Sequence, residues 1–491
     1  MPVLALDAGT TSTRAMLFDD DGAVLATAQR ALTQYFPRDG WVEHDADEIW
    51  ERSLACARDA IATAGVTPAQ VAALGIAVQR ETVVLWDRAT GRPLHRAIVW
   101  QDRRTADACD RLAADPAAVA LVARTGLVLD PYFSATKLAW LLDNVSGARA
   151  AASRGTLLAG TIDCWLLWKL TGGAVHATDA TNASRTMLFD ITRLHWDDEL
   201  CALFGVPRSL LPDVRDSDAD FGRLDPAILG AAIPVRALIG DQQAAAVGQD
   251  CTRAGEAKAT FGTGCFVLVH TGSVPVPSRH RLLTTVALLS DGRATYALEG
   301  SIFNAGTVVQ WLRDALGIIA TAAETATIAA GIASSAGVYV VPAFTGLGAP
   351  WWDAGARGAI IGLTRDTGRA QVVRAALESV ALQARDLATA FTDDGVSLRA
   401  LRVNGGMSAN DWLMQVLADQ LSLRVERPRI LETTAWGAAR LAGSAVGVYP
   451  ALGVALPHRV ERTFTPTDDR APGDALHRGW LDAVARVRTR G

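Results

Sequence analysis

The sequence predicts two layered α/β domains of similar size. Short apolar strands alternate with stretches of helical spacing. A strand, Gly-Thr turn, strand unit opens the chain and returns about 250 residues later. Half of the 491 residues are apolar, a fifth are charged and only 19 are proline, a composition that supports two cores and excludes disorder. A single core stops growing at roughly 250 residues, so the boundary is expected near residue 250, giving domains 1–250 and 251–491.

Taken in order, Val3 to Leu6 reads as a strand, Asp7-Ala8-Gly9-Thr10-Thr11-Ser12 as a tight turn, and Arg14 to Phe18 as a second strand. A third follows the Asp19-Asp20-Asp21-Gly22 turn, completing an antiparallel meander. Between Asp45 and Gly65, Trp50, Leu54, Ala57 and Ile61 recur at helical spacing, with acidic residues at the start and glycine at the end. Three apolar runs follow, Ala73 to Val78, Val83 to Trp86 and Ala97 to Trp100. The second half repeats the grammar with Ala257 to Phe261, Gly262-Thr263-Gly264, and Phe266 to His270. Val373, Leu377, Val380, Ala384 and Leu387 mark a long helix. Leu401 to Val403 forms a strand ending in Asn404-Gly405-Gly406, which feeds a helix from about Asn410. From Thr325 to Trp352 no residue is charged, long enough to span a bilayer. Gly331, Ser334, Ser335, Gly337, Pro342, Gly346 and Gly348 punctuate it as loops, so no membrane span is expected.

Composition excludes several functions. The 47 basic against 52 acidic residues leave a net charge of −5, which argues against a nucleic-acid clamp. Lys137, Lys169 and Lys258 are the only lysines and follow Thr136, Trp168 and Ala257, so no Gly-Lys-Ser/Thr phosphate loop exists. The Val-Ala-Ile-Lys strand and His-Arg-Asp loop of protein kinases are also missing. Six cysteines without a C-x-x-C pair, and no H-E-x-x-H, argue against structural zinc and a disulfide framework. The N-terminus shows no secretory pattern, and a reduced, cytoplasmic protein is expected.

In α/β sheets ligands collect beyond the carboxyl ends of strands. Four such places carry polar residues: Asp7, Gln79-Arg80-Glu81, Gln101-Asp102-Arg103-Arg104 and Asp241-Gln242-Gln243. Any one alone could be a solvated loop. Glycine beside Thr or Ser lets backbone N–H groups cradle a phosphate without lysine. Asp7 to Ser12 and Gly262-Thr263-Gly264 both fit that role, although each alone fits a hairpin turn. Their pairing in the two halves points to a nucleotide gripped between domains.

The run Leu4-Ala-Leu-Asp-Ala-Gly-Thr-Thr-Ser-Thr-Arg14 resembles the first phosphate loop of the superfamily that includes actin, the heat-shock ATPases, hexokinase and the FGGY carbohydrate kinases. Further runs narrow the resemblance to the FGGY kinases that act on glycerol. They are Gly40-Trp-Val-Glu-His-Asp45, Gln79-Arg-Glu-Thr82, Ile98-Val-Trp-Gln-Asp-Arg-Arg-Thr105, Thr125-Gly-Leu-Val-Leu-Asp-Pro-Tyr-Phe-Ser134, Thr181-Asn-Ala-Ser-Arg-Thr-Met-Leu-Phe189, Gly240-Asp-Gln-Gln-Ala244, Phe261-Gly-Thr-Gly-Cys-Phe266 and Pro342-Ala-Phe-Thr-Gly-Leu-Gly-Ala-Pro350. The resemblance implies two actin-like (ribonuclease H-like) α/β domains with an interdomain active-site cleft. It implies ATP-dependent phosphorylation of glycerol to sn-glycerol 3-phosphate. The rival activity is an FGGY kinase for another polyol or a ketopentose, and the rival class is a non-enzymatic relative that binds ATP.

Carried onto this sequence, the resemblance makes Asp241 the general base. Arg80, Glu81, Tyr132 and Gln242 hold the substrate hydroxyls, and Trp100 and Phe266 pack on its carbons. For ATP it implies Thr10, Thr11, Ser12 and Arg14 in the first loop, Thr263 in the second, Gly306 and Gln310 at a helix start, and Gly406 and Asn410 at the nucleoside. Asp7 would face Mg²⁺ through water. Asp241 also reads as a helix N-cap, Arg14 as a strand-face arginine, and Gln310 and Asn410 as ordinary helix-start residues. The other arginines, Arg103 and Arg104 included, read as surface or interdomain ion pairs. A homo-oligomer, dimer or tetramer, is expected by analogy. Four positions depart from the family pattern: Ala8 for Gln, Ala135 for Gly, Trp351 for Tyr, and Asn404 for the Asp before Gly405-Gly406.

Overall fold

The structure, a computed structural model, describes residues 1–353, 355–454 and 460–489. The expected meander forms from Val3–Ala8, Ser12–Phe18 and Val24–Ala31, antiparallel throughout. Ala73–Val78 and then Val235–Gly240 extend the sheet on the other side in parallel. The helix Ala46–Thr63 starts where the Asp45 side chain accepts from the Asp47 and Glu48 amides, and it lays Ile49, Cys56, Ala57, Ala60 and Ile61 on the sheet.

The second half repeats this topology. Glu256–Phe261 pairs antiparallel with Cys265–Gly272, which pairs with Arg293–Ile302. On its other edge Glu256–Phe261 runs parallel to Ala400–Asn404, followed by Val425–Pro428. Leu283–Ser290 and Val460–Phe464 add the two edges of this sheet. The helix Arg369–Asp393 lies where the apolar spacing predicts it, and Asp411–Leu421 follows the Asn404-Gly405-Gly406 strand end as expected. The uncharged stretch resolves into the short helix Glu324–Ala330, the strand Tyr339–Val341 and turns. Among the described residues no helix is long and apolar enough to cross a membrane.

Two further features position the site. A four-stranded sheet of Glu43–His44, Ala97–Ile98, Val83–Asp87 and Leu157–Thr161 builds a roof over the first half. The third expected run thus ends at Ile98, leaving Trp100 in the connection beyond it. The other feature is a pair of crossing helices, Asp241–Gly248 and Thr433–Ala445. A Cβ on Gly437 would lie 1.8 Å from the Ala244 carbonyl oxygen, and one on Gly248 would lie 2.1 Å from that of Thr433. Only glycine lets these backbones touch. The second of these helices covers one face of the first sheet, packing Ala435, Ala438, Ala439, Leu441 and Ala442 on Val3, Ala5, Ala73, Ala237 and Ile239.

Candidate active site

The carboxyl ends of three parallel strands in the first sheet bring Asp7, Arg80, Glu81 and Asp241 to one cleft. These are not solvated loop residues: Gln79, Arg80 and Glu81 are 1%, 3% and 1% exposed. Arg80 forms a bidentate pair with Glu299, Nη1 to Oε2 at 2.6 Å and Nη2 to Oε1 at 3.0 Å. Its Nε stands 3.2 Å from Asp241 Oδ1. Glu81, held in the left-handed region at φ +65°, accepts from Arg185 Nε at 2.6 Å. Arg185 Nη2 donates to Glu299 Oε1 at 2.9 Å, closing a buried chain of four charges, Arg80, Glu299, Arg185 and Glu81. Burial alone would raise the Glu299 carboxyl, but the Arg185 and Arg80 guanidiniums outweigh it and hold it at about 2. For Glu81 burial wins over both arginines and pushes its carboxyl up.

Sequence reasoning did not find three of these functional groups. Arg185 lies in the quoted Thr181 to Phe189 run without a role. Glu299 is the single charge inside the apolar strand Arg293–Ile302 after its first residue. Lys258 occupies the strand that leads into the second Gly-Thr turn, fully buried. Its Nζ donates to Gln242 Oε1 and, at 3.1 Å, to Thr260 Oγ1. Burial lowers its ammonium to about 8, against the opposing pull of Asp241 and Glu299. A lone charge within an apolar run, 294–302 for Glu299 and 257–261 for Lys258, is the one signal the sequence carried for them.

Tyr132, Trp100 and Phe266 form an aromatic wall. Trp100 meets Tyr132 edge-on at 5.5 Å and Phe266 at 6.0 Å, the last from the second half of the chain. The Trp100 indole donates to Thr10 Oγ1 at 2.9 Å. Gln79 pins the same turn, its Nε2 donating to the Gly9 carbonyl at 3.1 Å. Asp241 opens the helix Asp241–Gly248, while the cap position itself belongs to Gly240. Its Oδ1 accepts from the Gln242 amide at 2.7 Å and its Oδ2 from Gln242 Nε2 at 3.0 Å. Asp241 therefore faces the cleft with Arg80 and Gln242 on it.

The two Gly-Thr turns flank this centre. Among the described residues the amides of Thr10, Thr11, Thr263 and Gly264 make no hydrogen bond, leaving donors for phosphate oxygens. Thr11 and Thr263 are exposed, whereas the Ser12 hydroxyl accepts from Gln29. Arg14 pairs with Glu432, just before the helix Thr433–Ala445. The Gly306 amide is already bonded to the Gly262 carbonyl at 2.9 Å, so this residue brings the helix start onto the second turn. Gln310 is exposed on the same helix, and Gly406 lies open to solvent. Asn410 caps the helix Asp411–Leu421, accepting from the Leu413 amide at 3.0 Å. Asn404 is buried and points to the crossing helix. Its Nδ2 donates to Thr433 Oγ1 at 2.7 Å and its Oδ1 accepts from Thr260 Oγ1 at 2.8 Å.

Arg104 corrects the expectation of a surface or interdomain pair. Its side chain is fully buried within the first half, bonded to Asp102 and Glu43 and laid 3.8 Å over the Trp41 ring. Arg103 does form a surface pair, with Asp130 at 2.7 Å. Asp7 accepts no hydrogen bond through its side chain among the described residues. Desolvation, partly offset by Arg14 and reinforced by Asp241, raises its carboxyl to about 6. A cation near this carboxylate would relieve that penalty, which fits magnesium held by one carboxylate and phosphate oxygens. Clusters of three or more metal-ligating side chains are absent among the described residues.

Residues 2–248 match the model of the FGGY family of carbohydrate kinases, N-terminal domain, and residues 257–446 match its C-terminal domain. The chain is 57% identical to the glycerol kinase of Rhodospirillum centenum, covering 99% of this chain and 98% of that one. It is equally 57% identical to the glycerol kinase of Alcanivorax borkumensis over the same shares. The crystal structure of Plasmodium falciparum glycerol kinase with ADP superposes with a TM-score of 0.93 at 35% identity, covering 99% and 98% of the two chains.

Proposed function

The chain belongs to the FGGY family of carbohydrate kinases, and we infer that it transfers the γ-phosphoryl group of ATP to glycerol, giving ADP and sn-glycerol 3-phosphate. The observation that carries this reading is the cluster in which Arg80, Glu81 and Gln242 stand around Asp241, beside the contacting rings of Trp100, Tyr132 and Phe266. Glycerol is neutral and short. Its recognition requires paired donors and acceptors for each hydroxyl, and a site so built rejects analogues that lack one. The aromatic wall supplies the apolar face for its three carbons.

In the reaction a terminal hydroxyl oxygen forms a bond to the γ-phosphorus while the bond from that phosphorus to the β,γ-bridging oxygen breaks. Asp241 takes the hydroxyl proton, and the electron pair of the broken bond leaves with ADP. The fixed Arg80 and Gln242 hold the carboxylate in position before substrate arrives, so that its alignment costs nothing during the reaction. The amides of Thr10, Thr11, Thr263 and Gly264 cradle the phosphates from both sides of the cleft, with Gly306, Gln310, Gly406 and Asn410 toward the rest of the nucleotide. Asp7 would hold Mg²⁺, which, when bound, neutralises charge on the phosphates. Water competes with glycerol as the acceptor, and closure of the two halves excludes it. A cytoplasmic location, where ATP is supplied, and assembly as a dimer or tetramer belong to the same reading.

The test is Mg·ATP consumption with glycerol, erythritol, xylitol, xylulose, ribulose and gluconate, beside a control without acceptor. Glycerol is expected to be preferred, and turnover of a ketopentose in its place would overturn the substrate assignment. Asp241→Asn is expected to keep ATP binding while lowering kcat by at least about 10², the magnitude of general-base catalysis.

A further inference from the structure

We propose that Lys258, anchored by Thr260, is a positioning residue for the reaction: it orients the Gln242 amide so that its nitrogen, not its oxygen, meets Asp241. The inference rests on the reading of Asp241 as the proton acceptor. Lys258 comes from the second half of the chain and Asp241 from the first, and the buried Gln242 side chain hydrogen-bonds to both. Lys258 Nζ donates to Gln242 Oε1 and, at 3.1 Å, to Thr260 Oγ1. Gln242 Nε2 donates to Asp241 Oδ2 at 3.0 Å.

Donors and acceptors decide which end of the amide faces each neighbour. An ammonium has three donors and no acceptor. It therefore selects the oxygen end of the amide, and because the amide is planar the nitrogen end must face the other way, onto the carboxylate. Removing the ammonium frees the amide to turn over. Its oxygen would then oppose Asp241 Oδ2, two acceptors without a proton between them, and the carboxylate would rotate away from the hydroxyl it must deprotonate. Displacements of this size near a reacting atom cost far more in rate than in binding.

The string does not stop at Lys258. Thr260 Oγ1 donates to Asn404 Oδ1 at 2.8 Å, and Asn404 Nδ2 donates to Thr433 Oγ1 at 2.7 Å. Thr433 begins the helix that crosses onto the first sheet. The aim of the base is thus tied to the placement of one half on the other. Asp241, Glu299, Arg80 and Cys265 are the titratable groups that face the Lys258 ammonium, so a neutral replacement unbalances the local charge as well as the amide.

The experiment is a double-mutant cycle on the full chain with Lys258→Met, Gln242→Leu and the two combined, measuring kcat and both KM values. Lys258→Met is expected to lower kcat about tenfold or more, with KM for ATP within about twofold of the parent. The combined variant is expected to be no slower than Gln242→Leu alone, since Lys258 acts through Gln242. Multiplicative losses, a loss confined to KM, or a Lys258→Met kcat equal to the parent would each overturn the proposal. Should Lys258→Met not fold, Thr260→Val removes the second anchor of the ammonium. It is expected to show the same kcat loss, smaller in size and again absent in the Gln242→Leu background, and a normal kcat would overturn the proposal. Lack of glycerol-dependent ADP formation by the parent protein would instead defeat the functional reading, whatever the variants do.

Discussion

Glu299 holds two guanidiniums at once and is fully buried, so its carboxylate is the keystone of the residues proposed to hold the glycerol hydroxyls. Removing one partner of a buried pair leaves an uncompensated charge, which costs about 3 kcal/mol or more. Glu299→Gln is accordingly expected to lower stability by about that amount and to raise KM for glycerol more than KM for ATP, read by denaturant melts and steady-state kinetics. Because its carboxyl is held below its ordinary value, its stabilisation is present above about pH 4.5 and is lost as pH falls toward about 2. Asp7 has the opposite sign. Its carboxyl is raised to about 6, so the folded chain binds a proton there that the unfolded chain releases, and stability rises as pH falls from about 6 toward 4. Asp7→Asn should therefore melt higher than the parent at pH 7.5, by up to about 3 kcal/mol, with a flatter pH dependence and weaker Mg²⁺-dependent turnover. A lower melting temperature at pH 7.5 would contradict the desolvation argument. At this scale the sequence revealed Asp7, Arg80, Glu81 and Asp241 because each ends an apolar run. It did not reveal Glu299, Arg185 or Lys258, whose partners Arg80, Glu81 and Gln242 lie 219, 104 and 16 residues away and leave no local pattern.

The meander and the helix Ala46–Thr63 were legible as elements because alternation, turn residues and an N-cap all agree there. Of the two-residue roof strands, Ala97–Ile98 was legible as the start of an apolar run, whereas Glu43–His44 carries no period to read. The helix Thr433–Ala445 was hidden for another reason. Its contact face is built from alanine and glycine with the single leucine Leu441, so it lacks the leucine and valine stripe by which amphipathic helices are recognised. Those small residues are what close approach demands. Gly437→Ala is expected to separate the crossing helices, lowering stability by about 3 kcal/mol, at the upper end of overpacking effects. Its kcat should fall too, although no substrate contact is altered, because the Thr433 to Asn404 bond moves with the helix. A variant as stable and as active as the parent would mean that the backbones yield at this crossing without consequence.

At the scale of the whole molecule the two halves are interlocked rather than merely joined. Thr433–Ala445 from the second half covers a face of the first sheet, and Leu283, Val286, Leu289 and Tyr296 complete the core under the roof of the first half. Tyr296 also donates its hydroxyl to the Ile191 carbonyl at 2.8 Å. Severing the chain after residue 250 would therefore uncover Val3, Ala5, Ala73, Ala237 and Ile239 on one sheet face, together with part of the roof core. Each buried side chain of this kind contributes on the order of 1 to 3 kcal/mol, and a domain's net stability is only about 5 to 15 kcal/mol. The uncovered apolar area exceeds what that margin tolerates. The fragment 1–250 is expected to keep much of its far-ultraviolet circular dichroism while losing near-ultraviolet signal and binding an apolar dye, the marks of a chain with secondary structure but no fixed packing. Coexpression with 251–491 should restore the near-ultraviolet signal and the glycerol-dependent turnover. For the same reason the intact chain should unfold in one calorimetric transition that moves upward when glycerol and a non-hydrolysable ATP analogue are added together, since the sites proposed for both lie where the halves meet. A fragment 1–250 that melts cooperatively on its own would show that the crossing helix is a cover the first sheet can do without.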